Sequence, residues 1–129
     1  MKTLIILMLT FLSFSVFAAP TQVEVENQAL EILLKNSGRL TSEEGESVAS
    51  VLASSLLTGT TTKNEISNSC SYDSNDSVFK CTLSILNSDN PGEGGTESST
   101  GIIYELEKAK SGLPSDELFS LTVLVIRAG

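Results

Sequence analysis

The sequence predicts an α+β domain in which two N-terminal helices pack on one face of a four-stranded antiparallel sheet (ααββββ), with one disulfide across the first hairpin. Three observations carry this. Apolar residues recur at helical spacing as far as Leu56 and at a period of two from Glu65 to Arg127. The two periods do not interleave, so no βαβ unit is indicated, and helices collected before the strands cover one face of an antiparallel sheet. Cys70 and Cys81 stand where one hairpin register sets them opposite each other.

Residues 1–18 read as a secretory signal rather than as part of that domain. Lys2 is followed by an apolar run from Leu4 to Phe17, broken only by Thr10, Ser13 and Ser15, and by a small-residue exit at Val16-Phe17-Ala18. Cleavage after Ala18 starts the mature chain at Ala19, whereas cleavage after Ala19 would put Pro20 directly behind the cut. The run is short for a hydrocarbon core that needs ~20 residues, so no membrane insertion is expected after cleavage. One mature domain, residues 19–129, is expected in the periplasm or the medium. Losing Lys2 leaves seven basic residues against sixteen acidic ones, a net −9.

Thr21 with Glu24 three residues on is a capping-box signature, and Val23, Leu30, Leu33 and Leu34, widened by Ala29 and Ile32, have helical spacing up to a stop at Gly38. The pattern then repeats. Thr41 and Glu44 precede a stripe of Val48, Val51, Leu52 and Leu56 that Gly59 closes, with Gly45 as an interior weak point. From Glu65 alternation takes over: Ile66, Cys70 and Tyr72, then Phe79, Cys81, Leu83 and Ile85, then Ile102, Tyr104 and Leu106. Asn87–Thr100 reads as a polar loop, and Lys108–Glu117, with Gly112 and Pro114, reads as irregular. The run Leu118–Arg127 is apolar on both sides, as a central strand would be.

In an oxidising compartment the two cysteines are expected to pair. Ten residues separate them, so a hairpin centred between Asn75 and Asp76 sets Cys70 against Cys81 and Tyr72 against Phe79, with Ser74–Ser77 as the turn. That places the pair at a non-hydrogen-bonded site, within disulfide reach. The closed loop is worth roughly 2–3 kcal/mol by chain entropy.

Composition excludes more chemistry than it suggests. There is no His, which removes the usual triads, zinc–water chemistry and haem ligation. The acidity argues against nucleic acid. Ser77-Val78-Phe79-Lys80 matches a Ser-x-x-Lys pattern, but on a hairpin rather than at a helix start. Asp73, Asp76, Asp89, Glu93 and Glu97 lack calcium-loop spacing, so no metal or other cofactor is assigned and calcium at the acidic loop stays open. No catalytic residue is named and no enzymatic activity is expected.

A surface is left instead. By parity all four mature-chain rings, Tyr72, Phe79, Tyr104 and Phe119, face the core, so no aromatic platform is expected. The opposite sheet face carries Leu86, Ile103, Glu105, Thr122, Leu124 and Ile126 beside a Ser/Thr field, more apolar than a solvated face requires.

The order helix, helix, four strands, with Cys70–Cys81 across the first hairpin, resembles one repeat of the secreted β-lactamase inhibitory proteins, which bind through a sheet face. Thr100-Gly101-Ile102-Ile103-Tyr104 resembles the Ser-Gly-x-x-Tyr motif of periplasmic lysozyme inhibitors, which are all-β barrels, with Thr100 in place of Ser. Both resemblances imply inhibition by protein–protein contact. The expectation is therefore a small exported acidic binding module whose partner is a basic protein, such as a cationic cell-wall-acting enzyme. An envelope-associated structural homo-oligomer, with the same face as a homodimer interface, is the alternative. Intact-mass measurement of the exported protein should give a chain beginning at Ala19; retention of residues 1–18 would overturn the signal reading.

Overall fold

A computed structural model describes residues 19–56, 62–89, 97–116 and 121–128. Residues 1–18, Phe119 and half of the stretch 87–100 lie outside the described residues.

Helix α1 (Gln22–Lys35) begins as expected: the Thr21 hydroxyl accepts from the Glu24 N–H at 3.2 Å. Its buried stripe is Val25, Ala29, Ile32 and Leu33, spaced i, i+4, i+7, i+8. Val23 and Leu34, expected in the stripe, are 64% and 48% exposed. At 100° per residue both fall on the same side of the arc that the other four share, about 80–100° beyond its Leu33 edge. Asn36, not Gly38, ends the helix. Its side-chain amide donates to the Ile32 carbonyl at 2.8 Å, and its own carbonyl accepts from the Arg39 and Leu40 N–H groups, turning the chain back.

Helix α2 (Val48–Ser55) starts later than the Thr41/Glu44 signature suggests. Gly45 adopts φ +90°, which no helix contains, and the Ser42 N–H closes the turn on the Glu46 carbonyl at 2.7 Å. Ser47 supplies the cap, accepting from the Ser50 N–H at 3.1 Å. The first-turn donors of Val48 and Ala49 are satisfied by the Leu40 and Ser37 carbonyls, both at 2.9 Å.

A curled antiparallel sheet follows. Its strands are β1 (Thr62–Asp73), β2 (Val78–Asp89), β3 (Glu97–Lys108), β4 (Pro114–Ser115) and β5 (Thr122–Ala128). β1, β2 and β3 are consecutive neighbours, and β4 and β5 share the far side of β3. β5 pairs with Ser99–Glu105 and β4 with Glu107 and Lys108. The apolar last strand is thus an edge strand rather than a central one; β3 is central. β2 and β3 also run into the stretch expected to be loop, which shows no strand pattern in the sequence because its inner-face positions are polar. Asn87 and Thr100 are buried against Ser55, so alternation continues without an apolar signal.

The cysteine register is the one expected, with Cys70 opposite Cys81, Tyr72 opposite Phe79 and Ser74–Ser77 as the turn. The Cα atoms are 4.1 Å apart, the spacing of a non-hydrogen-bonded pair. At such a site Cys70's own N–H and C=O point away from β2, toward the open edge. α1 takes both: the Glu26 carboxylate accepts from the Cys70 N–H at 2.9 Å, and the Gln22 amide donates to its carbonyl at 2.6 Å. One turn along, the Asn68 amide donates to the Glu26 carbonyl at 2.9 Å. The buried apolar residues of both helices then join Cys81, Leu83, Ile102, Tyr104, Leu106 and Val123 in a single core.

Removing the Glu26 carboxylate leaves a nearly buried amide without its charged acceptor. Glu26→Ala should cost about 1–3 kcal/mol in denaturant unfolding and speed exchange of the Cys70 amide. Glu31→Ala, on the exposed side of the same helix, should change neither.

Candidate functional site

Register alone assembles the outer sheet face. Thr82, Ile103 and Leu124 lie in one row across β2, β3 and β5; Ser84, Gly101 and Ile126 form the next; Leu86, Ser99 and Ala128 the one after. Lys80, Glu105 and Thr122 make the row on the other side. All six residues named from the sequence, Leu86, Ile103, Glu105, Thr122, Leu124 and Ile126, therefore stand on one face. Leu86 is 40% exposed, Leu124 37% and Ile126 50%, while Ile103 and Glu105 are half-buried. Four aliphatic side chains thus remain in contact with water on a face otherwise built mainly of Ser, Thr and charge, with Gly101 and Ala128.

Acidic residues outnumber basic ones on this face. Glu65, Glu97, Glu105 and Glu107 belong to this face by parity, as does the position of Lys63. Lys80 is the only basic residue among the described side chains there, and its ammonium sits 3.0 Å from Asp73 and 3.3 Å from Asp76. The hydrogen bond from Lys80, helped by the Asn75 N–H, holds the Asp73 carboxyl below its ordinary range; Asp73, then Asp76, raises Lys80. The Ser77–Lys80 pattern consequently places its lysine between two carboxylates, with Ser77 in the turn at φ 57°.

Both edges of the sheet are guarded in part. Gln22 and Glu26 occupy the β1 edge at Cys70. On β5 the Glu43 N–H donates to the Val123 carbonyl at 3.3 Å, and Glu46 grips Arg127 with two bonds, at 2.6 and 3.1 Å. Filling edge positions with loop, helix and charge opposes strand-to-strand association.

Elsewhere the structure corrects the aromatic expectation. Phe79 and Tyr104 are buried, but Tyr72, on the core side by parity, is 43% exposed because it lies on the edge strand beyond the helices. Its ring meets Phe79 edge-on at 5.2 Å between centroids, and the Lys108 ammonium lies 4.7 Å above it. The five-residue stretch resembling the lysozyme-inhibitor motif lies in mid-β3, with Thr100 and Tyr104 turned into the core. Neither is presented to a partner. Among the described residues no three His, Cys, Asp or Glu side chains gather as a metal-holding group, and no helix is long and apolar enough to cross a membrane.

One feature escaped sequence reasoning. A polar cleft of about 330 Å³ opens beside the C-terminus of α2, lined by Ser54, Ser55, Asn87, Ser98, Thr100 and Arg127 among others. Asn87 donates to the Ser55 carbonyl while its Oδ1 has no partner among the described residues. Reading 87–100 as loop hid it. Comparison with protein-family models, with curated proteins and with solved structures finds no match for this chain.

Tyr104 offers a probe of this architecture. Burial, with the Glu26 carboxylate adding to it, pushes its phenol up to about 12 from 10.0. A raised folded value means that the neutral phenol's contribution is complete below pH 10 and is lost as the pH climbs through about 12. Ultraviolet tyrosinate titration should show one ring ionising only near that upper value, with the unfolding midpoint falling over the same window.

Proposed function

We propose that this protein is a small exported binding module that acts by protein–protein contact through the outer sheet face, with a basic protein as partner. A secreted or periplasmic cationic enzyme that acts on the cell wall is the class that fits best, with inhibition as the outcome. The observation that carries the reading is the cluster of Leu86, Ile103, Leu124 and Ile126 on a face whose charged residues are mainly acidic. Apolar contact supplies affinity, while complementary charge steers encounter and excludes wrong partners.

Two further points support a foreign partner over a second copy. A face-to-face homodimer would bring two acidic rims together at a net −9 per chain, which is repulsive. Edge-to-edge pairing would have to displace the Glu43 and Glu46 contacts on β5 or the Gln22 and Glu26 contacts on β1. No catalytic role is assigned.

A photo-cross-linking amino acid at Leu124, introduced in the protein's own envelope, separates the readings. A discrete adduct with a basic protein, weakened when Ile126→Asp is added and at high salt, is the expected result. An adduct between two copies would establish the homo-oligomer instead, and no adduct at Leu124 would overturn the outer face as a contact surface.

A further inference from the structure

The middle of the apolar cluster is a residue with no side chain. Gly101 lies in central strand β3 with Ile103 two positions along the same face, Ile126 directly opposite on β5, and Leu124 and Leu86 on the diagonals. Glycine in a strand interior forfeits packing and chain entropy, and usually marks a bulge, a bend or the close approach of another group.

Neither a bulge nor a left-handed backbone accounts for it. The register runs unbroken through Ser84–Gly101–Ile126, so there is no bulge. The described glycines at positive φ are Gly45 and Gly112, not Gly101. Among the described residues no atom lies within 4 Å of a Cβ placed at Gly101, so none of them fills the space. Its cross-strand neighbours are Ser84 and Ile126, neither of them aromatic.

We infer that the gap above Gly101 is a socket for one aliphatic side chain of the basic partner. This rests on the outer-face reading and names the determinant within it. Flanking aliphatic groups would contact the inserted side chain, the bare backbone sets the floor, and the surrounding carboxylates favour a cationic surface around the inserted group. A second copy does not fit, since its own acidic residues would face these.

The test uses a 14-residue amphipathic peptide of leucine and lysine, titrated into isotope-labelled mature protein while amide shifts are followed. The expected result is shifts centred on Gly101, Ile103 and Ile126. Gly101→Val should weaken binding at least tenfold while leaving the melting temperature unchanged or higher, because a β-branched residue suits an open strand position. Gly101→Ala, which needs less room, should weaken binding less and guards against a folding defect in the valine variant. Outer-face shifts with all three proteins binding equally would overturn the socket and leave the binding face standing. Shifts confined to another surface, or none, would overturn both.

Discussion

The hairpin register at Cys70–Cys81 is the constraint on which the rest of the structure depends. Placing the cysteines at a non-hydrogen-bonded pair does two things at once. It allows the disulfide, and it turns the Cys70 amide and carbonyl outward, where Gln22 and Glu26 of α1 complete them. A one-residue slip would reverse every side chain of β1 relative to the core and would aim those backbone groups at β2. Helix docking, disulfide and facial parity are therefore one choice made once.

Parity then propagates across the sheet. With Cys81 turned inward, Tyr104 and Val123 must follow, and Thr82, Ile103 and Leu124 must face out. The core is small, and nearly every inward apolar residue of β2 and β3 is used in it. What stays outside is consequently informative: four aliphatic residues around a glycine, among carboxylates, on a sheet whose edges are partly occupied. A partner approaching the face meets apolar surface, whereas a strand approaching an edge meets carboxylates, side-chain amides and a loop.

The polar end of the inner face shows the limit of pattern reading. Asn87 and Thr100 are core positions by geometry and loop residues by composition. Only the approach of Ser55 from α2 makes them tolerable inside, through hydrogen bonds that no local spacing announces. The late start of α2 has a similar cause. Thr41 and Glu44 form a valid local capping signature, but the chain must turn at Gly45 to bring Glu43 and Glu46 onto β5, and Ser47 caps the helix that remains.

Local chemistry was sufficient for the start of α1 at Thr21, the turn at Ser74–Ser77, the pairing of Cys70 with Cys81 and the membership of the outer face, because each depends on spacing within one element or one hairpin. Strand order, the edge position of β5, the guarding of both edges and the polar cleft depend on contacts between residues far apart in the chain. So does the significance of Gly101: in the sequence it is one more small residue in a polar stretch. Only with β2 and β5 laid on either side does it stand beside Ile103, Ile126, Leu124 and Leu86, because the packing around a strand residue is set by its neighbours across the sheet rather than along the chain.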